Sequence, residues 1–306
     1  MSNAALGAAS QALWTRLLGQ LEAHLSVLPD KSEENAGNTL AALWHTSAGR
    51  PMSETLAEVT PVGDLDGHAA MVVEGLVDQR IAGVPLAHLT GRKGFSGMEL
   101  LVNAGRYIPR RETELLSATA REWLTAATPA GTPVIAMDLC TGLGTLALAI
   151  AHHLPNATVY GSDLLEESVA NAKQNAIHLG LADRVTFVAG DLFHPYAPFG
   201  LEGRVDAVVS APPYISSAKV KHLPAEIATF EPQEAFDAGP FGMSIFNELI
   251  ATSPTFLRSG GVLALEVGLG QGPFLTTRIM RNPAFASVRE VRDEAGNVRV
   301  LVATTR

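Results

Sequence analysis

Cysteine is nearly absent from these 306 residues. Cys140 stands alone, which excludes an internal disulfide and fits a reducing compartment. Charge is sparse as well: charged residues make up 17% of the chain, and 22 basic against 31 acidic side chains leave a net charge of −9. A chain of that sign has no electrostatic footprint for a nucleic-acid backbone, so no nucleic-acid partner is expected. No apolar run reaches about 18 residues, so neither a membrane span nor a membrane partner is expected. The opening MSNAALGAAS lacks a charged segment followed by an apolar one; no secretory leader is read there, and the expected location is cytoplasmic. The nine histidines show no ligand spacing, so no metal site is expected, and no Ser-His-Asp order stands out. What the chain does have is apolar mass, 47% of its residues, enough for a sizeable core spread over about two domains.

Apolar periodicity divides the chain. Leu13, Leu17, Leu21 and Leu25 recur at helical spacing until Pro29-Asp30; Leu40, Leu43 and Trp44 form a second set, and Met71, Val72, Leu76 and Val77 a third. These stripes predict a small helical domain over residues 1–90. From Gly94 the period changes: GFSGMELLVNAGRYIPR predicts a β-hairpin, read as a link over 91–110. A helical pattern, Arg111 to Ala127, opens a third region over 111–306. Within it VIAMDLC, TVYGSD, RVTFVAGDLF, VDAVVSAPP and GVLALEVG read as strands, and TLALAIAHHL, LEESVANAKQNAIHLG and FNELIATSPTFL as helices. Such alternation predicts an α/β fold with a mainly parallel sheet covered on both faces. Ligands of such sheets lie beyond the carboxyl ends of the strands.

The chemistry-bearing residues stand at those ends. Asp138-Leu139-Cys140-Thr141-Gly142-Leu143-Gly144 follows the first strand of the region and opens a helix. Its glycines let a backbone approach a ligand closely, and the helix start supplies free N–H groups. Gly142 to Ala147 also satisfies the dinucleotide pattern, and Asp163, about 20 residues on, suits a ribose in either case. Asp138 weighs against a nicotinamide dinucleotide, because a carboxylate ahead of the glycines sits poorly against pyrophosphate and well beside a cation. Asp163, Asp191-Leu192 and Ala211-Pro212-Pro213-Tyr214 then end the following strands.

That order resembles the class I S-adenosylmethionine (SAM)-dependent methyltransferases. SAM carries a sulfonium, an ammonium and a ribose diol, which call for carboxylates and carbonyls rather than an anion cradle. The likeness extends to GRKGFSGMELLVNAGRYIPRRETE (Gly91 to Glu114), Phe230-Glu231-Pro232, Gly239 to Met243, Leu265-Glu266-Val267-Gly268 with Gln271-Gly272, and the closing RDEAGNVRVLVATTR. From Val84 to Arg306 the chain resembles the HemK/PrmC family, which methylates the glutamine side-chain amide of translation release factors. The resemblance implies a seven-stranded, Rossmann-like class I sheet with a small helical N-terminal domain and a β-hairpin link. It implies SAM as cofactor, with Asp138 and Gly142 on its methionine part, Asp163 at the ribose, Asp191 and Leu192 flanking the adenine, and Cys140, Thr141, Gly144 and Leu164 as further cofactor-binding residues. Ala211, Pro212 and Tyr214 would be the catalytic, acceptor-holding residues, and Tyr107, Ile108, Arg110 and Glu114 pocket-wall residues. Asp163 and Asp191 also read as caps of the segments that follow them, Arg110 with Glu114 as a surface ion pair, and Cys140 as a packing residue.

One position departs from the family pattern. The family has Asn-Pro-Pro-Tyr where this chain has Ala211-Pro212-Pro213-Tyr214. An amide nitrogen is a poor nucleophile, and the Asn oxygen helps orient it; alanine offers no acceptor, a loss of about 2–4 kcal/mol of transition-state stabilisation. The expectation is therefore an N-methyltransferase with an altered acceptor, a small molecule or amine rather than a release-factor protein. A second expectation needs no acceptor beyond SAM alone: closure of its aminobutyrate part to azetidine-2-carboxylate with release of methylthioadenosine. A third is a SAM-binding module that has lost catalysis.

Overall fold

The computed structural model describes residues 6–129 and 131–306. The first five residues, half of the stretch read above for a leader, lie outside the described residues. The chain divides into two compact units, one built from residues up to Arg111 together with Pro224–Glu231, the other from Glu112–Leu223 and Pro232–Arg306.

The first unit is helical: α1 (Ala8–His24), α2 (Ala36–Ser47), α3 (Glu54–Val59), α4 (Gly67–Ile81) and α5 (Leu86–Thr90), followed by an antiparallel hairpin of β1 (Arg92–Phe95) and β2 (Met98–Leu101). Asn35, Ser53 and Asp66 cap α2, α3 and α4, each accepting a backbone N–H three residues on. Helix α2 is the axis of this unit. Leu40 to Trp44 are all buried, and Trp14 of α1 meets Trp44 edge-on at 5.2 Å between ring centroids. The third apolar stripe differs from the sequence expectation. Helix α4 buries Ala69, Val73, Val77 and Arg80, whereas Met71 is 65% exposed. The buried set follows the helical spacing i, i+4, i+8, which Met71 and Val72 do not share.

The second unit is the α/β body. It runs α6 (Thr113–Ala127), β3 (Val134–Leu139), α7 (Thr145–His153), β4 (Ala157–Asp163), α8 (Glu166–His178), β5 (Val185–Ala189), β6 (Val205–Ser210) and α9 (Ser217–Val220). The chain then returns to the first unit as α10 (Ala225–Phe230). It re-enters the second with α11 (Ser244–Phe256), β7 (Leu257–Glu266), α12 (Gly272–Met280), β8 (Phe285–Arg292) and β9 (Val298–Thr305). The seven strands lie in the order β5-β4-β3-β6-β7-β9-β8, parallel except for β9, which pairs antiparallel with both neighbours. Strand order reverses between β3 and β6, so both strands carry their carboxyl ends to a topological switch point. Val205 to Ser210 and the last six residues of β7 are buried throughout, the near-continuous apolar run expected of a strand covered on both faces.

In the first unit the return segment is held by charge. Glu226 pairs with Lys31 at 2.5 Å and with Arg80 at 3.1 Å, and Arg80 pairs in turn with Glu34 at 3.0 Å. Lys93 is held between Glu33 and Glu54, both at 2.7 Å.

Candidate functional site

The carboxyl ends of the central strands fall at one level. Leu139, Ser210 and Leu265 are in register across β3, β6 and β7, and Ser162 pairs with Leu139 from β4. At this level the chain leaves β3 through a tight loop, with φ of 61° at Cys140, 55° at Gly142 and 82° at Gly144. Gly144 has no room for a side chain, since a Cβ there would lie 2.6 Å from the Phe187 ring. Neighbouring elements pin the loop: Thr141 N donates to Ser162 O at 2.9 Å, and Asn175 Nδ2 of α8 donates to Leu143 O at 3.1 Å.

Two carboxylates organise this loop. Asp138 is 1% exposed; its Oδ2 accepts from Thr141 Oγ1 at 2.6 Å and from Ala147 N at 3.0 Å. Its Oδ1 is buried without a partner, and burial pushes the carboxyl up to about 7. A buried acceptor left open is rare and marks a place for a donor, best a cationic one. Asp163, at the end of β4, accepts from Gly142 N at 2.8 Å and from Leu165 N at 3.0 Å, so it ties the glycine loop to the start of α8. Burial raises its pKa too. Its bond to Leu165 N is the cap-like contact, and the bond to Gly142 is a second role beside it. Beyond Asp163, Leu164 is 65% exposed. Beyond β5, Asp191 is exposed, while Leu192 is buried at φ 43° and accepts the Ser162 hydroxyl at 2.7 Å. The strand itself ends at Ala189, short of the Phe193 expected from sequence, where Gly190 follows at φ 152°. The Cys140 thiol is pushed far above its ordinary range by burial, so it is no thiolate nucleophile.

The strand-end residues thus present three carboxylates, and the 138–144 loop carries no lysine or arginine. This donor set fits a cation bearing a diol and does not fit a pyrophosphate. Among the described residues no cluster of His, Cys, Asp or Glu could hold a metal ion, and no helix is long and apolar enough to cross a membrane.

The next strand end carries Ala211-Pro212-Pro213-Tyr214. Ser210 Oγ donates to Leu139 O at 2.6 Å, locking β6 to β3 just before the motif. Tyr214 O accepts from Gln271 Nε2 at 3.1 Å, whose Oε1 accepts from Gly268 N at 2.9 Å. Gly268 must be glycine here, because a Cβ would meet the Tyr214 ring at 2.9 Å. Ile215 then pairs with the 236–238 segment, its N–H donating to Phe236 O and its carbonyl accepting from Ala238 N. The Tyr214 hydroxyl lies beside Glu266 and Arg299; burial first, then Glu266, raises its pKa to about 12.

In the first unit, Tyr107, Ile108 and Arg110 gather around Glu231 of the return segment. Glu231 accepts from Ile108 N at 2.9 Å and from Arg110 Nη2 at 2.6 Å; Arg110 also pairs with Asp30 at 3.1 Å and stacks on the Tyr107 ring. Arg110 is therefore buried in an ion pair, not at the surface. Glu114 lies in the first turn of α6, in the second unit. The sequence reading assigned no role to Glu266, Gln271 or Arg299. The first two lie in LEVGLGQG and the third in the closing RDEAGNVRVLVATTR, so a signal was present, but their convergence on Tyr214 depends on strand pairing.

An open seven-stranded sheet with carboxylates at the ends of β3 and β4 and just past β5, and β9 alone antiparallel to its neighbours, has the architecture of a class I SAM-dependent methyltransferase. The comparisons agree. A family model described as a methyltransferase domain matches residues 136–230. The release factor glutamine methyltransferase of Moorella thermoacetica is 38% identical over 230 residues, 75% of this chain and 78% of that protein. That of Gloeobacter violaceus is 38% identical over 221 residues, 72% and 74% of the two chains, and that of Geobacter sulfurreducens 31% identical over 274 residues, 90% and 91%. The chain belongs to the release factor glutamine methyltransferase (HemK/PrmC) family, whose methyl donor is SAM.

Proposed function

We propose that this chain is an N-methyltransferase, acting in the cytoplasm, whose acceptor is an amine rather than the carboxamide of a release factor. The observation that carries the reading is Ala211. It follows the last residue of β6, locked by Ser210, and precedes a Tyr214 held by Gln271, yet it brings only a methyl group where the family has a carboxamide. An amine keeps its lone pair on nitrogen and does not need the second acceptor that an amide requires for orientation.

SAM supplies an electrophilic methyl carbon attached to a sulfonium. In this reading Asp138, with its open Oδ1, takes the ammonium. Thr141, Gly142 and Gly144 give the backbone room for close approach, and Cys140 packs beneath the loop. Asp163 takes the ribose hydroxyls, keeping its two backbone bonds on its remaining lone pairs. Exposed Leu164, with Asp191 and Leu192, flanks the adenine. The Pro212 carbonyl accepts one N–H of the acceptor, the Tyr214 ring borders it, and Glu114, in the same unit, serves as pocket wall. The chain's contribution is proximity and orientation.

The test is product analysis by mass spectrometry after incubation with SAM, with and without small amines or a release-factor glutamine peptide, for the native chain and for Ala211→Asn. S-adenosylhomocysteine formed with an amine, and a shift toward the glutamine peptide in Ala211→Asn, would support the reading. Rapid modification of the glutamine peptide by the native chain would overturn it. So would methylthioadenosine formed without an acceptor, which marks internal ring closure, or SAM binding without any product.

A further inference from the structure

Behind the acceptor motif stands a second charged group. Glu266 ends β7 one residue past Leu265, which is in register with Ser210, so it follows that row as Ala211 does on β6. It is 4% exposed, and its Oε2 has no hydrogen-bond partner. Arg299 of β9, 5% exposed, donates from Nη2 to Glu112 Oε2 at 2.6 Å and stands 3.9 Å from Glu266 Oε1. Thr113, at the start of α6, and the Tyr214 hydroxyl close on the same carboxylate, and Arg299 faces the Tyr214 hydroxyl as well. Strands β7 and β9 thus each bring a charged side chain to the phenol, and α6 brings Thr113 to the carboxylate beside it.

A buried ion pair is a weak source of stability, and a carboxylate oxygen without a partner is a cost. Packing alone would be served better by apolar side chains. The backbone bond from Gln271 and the clearance at Gly268 fix where Tyr214 leaves the chain, but they do not fix the far end of its ring. The hydroxyl end is the part that the charged group reaches. A guanidinium suits the task, because its planar fork can meet a carboxylate on one side and a hydroxyl on another.

We infer that Glu266 and Arg299 are positioning residues for methyl transfer: they hold the hydroxyl end of Tyr214 so that its ring borders the acceptor, with Glu112 keeping Arg299 in place. The inference rests on the reading of 211–214 as the acceptor site. Neither residue touches the reacting atoms; both act through Tyr214.

The experiment has an arm that needs no acceptor. With tyrosine labelled at the ring carbon bearing the hydroxyl, the chain's four tyrosines give four resonances, and the one missing from Tyr214→Phe is assigned to Tyr214. Arg299→Met and the near-isosteric Glu266→Gln should each shift or broaden that resonance and leave the other three in place. With whichever acceptor the native chain turns over, Arg299→Met should lower kcat by about tenfold to a hundredfold. The dissociation constant for SAM should not move. Arg299→Lys should recover only part of the loss, and Arg299→Met combined with Tyr214→Phe should be no worse than the poorer single variant. An unmoved Tyr214 resonance in both Arg299→Met and Glu266→Gln would overturn the inference, as would losses that multiply in the double variant. Glu266→Gln covers the case in which Arg299→Met does not fold. A moved resonance in a chain that methylates no amine would count against the proposed acceptor and not against this contact.

Discussion

Replacing Asp138 by asparagine should make the ligand-free protein more stable above pH 7 relative to its behaviour at pH 4, and should weaken its hold on SAM. The carboxyl is 1% exposed, with one oxygen bonded to Thr141 and Ala147 and the other unpartnered. Burial raises its pKa from 3.8 to about 7. The unfolded chain ionises this group near pH 4 and the folded chain near pH 7, so between those values the folded state binds more protons and stability falls as pH rises. Ionising it in the folded, empty site costs about 4 kcal/mol. Asparagine keeps an acceptor for Thr141 and Ala147 and removes the titration. The stability difference between variant and native protein should therefore grow in the variant's favour from pH 4 to pH 7, then level off. Any fixed cost of the unpaired amide N–H₂ offsets the whole curve without changing its slope.

The same open oxygen is the natural partner of a cationic ligand, and a charge-assisted bond contributes about 1.5–3 kcal/mol, which sets an affinity loss of about 10- to 100-fold on substitution. Denaturant unfolding across pH reads the first effect and titration calorimetry the second. SAM affinity of the native protein should also strengthen as pH rises through 7, where the empty site gains its charge. A stability difference that stays flat from pH 4 to pH 8, or SAM bound by Asp138→Asn as tightly as by the native chain, would refute the reasoning.

Three further outcomes follow from other parts of the molecule. Gly144→Ala places a Cβ 2.6 Å from the Phe187 ring at a φ of 82°, and should cost about 1–3 kcal/mol in denaturant unfolding as well as SAM affinity. Cys140→Gly removes a side chain from a residue at φ 61°; relief of left-handed strain, less the entropy of glycine, should stabilise the fold by about 1 kcal/mol, read as a raised Tm. Glu226→Gln leaves Lys31 and Arg80 buried without its charge and should destabilise by about 3–5 kcal/mol, read in thermal unfolding; a change below about 1 kcal/mol would show that Glu34 alone satisfies Arg80.

The sequence makes local features legible and leaves convergent ones hidden. The β3–α7 loop could be read because Asp138, Gly142 and Gly144 lie within seven residues, and the alternation of strand and helix after it follows from hydrophobic period alone. The hairpin at Arg92–Leu101 was visible for the same reason. Helix α4 is half legible: Val77 is buried and Leu76 packs on the core as expected, but Met71 and Val72, the larger apolar residues at its start, stand exposed while Ala69 and Val73 face inward. The closing strand was harder still. Val298 to Ala303 is a buried, nearly apolar run, yet only its insertion between β7 and β8 makes it central.

Least legible was the surround of Tyr214. Glu112, Tyr214, Glu266 with Gln271, and Arg299 come from four separate stretches of the chain, and no spacing rule links those stretches. A buried carboxylate in a strand reads in sequence as an interruption of an apolar run. It becomes interpretable only when parallel pairing carries it past the same row as Ala211 and antiparallel pairing of β7 with β9 brings Arg299 alongside. Chemistry at the ends of parallel strands is therefore written in two ways. The loop after each strand carries ligand-binding groups in short motifs, and the strand neighbours carry the groups that hold those motifs still. The first kind survives in a one-dimensional reading. The second depends on strand order, and for this chain that order places an ion pair behind Tyr214, the aromatic residue of the 211–214 motif.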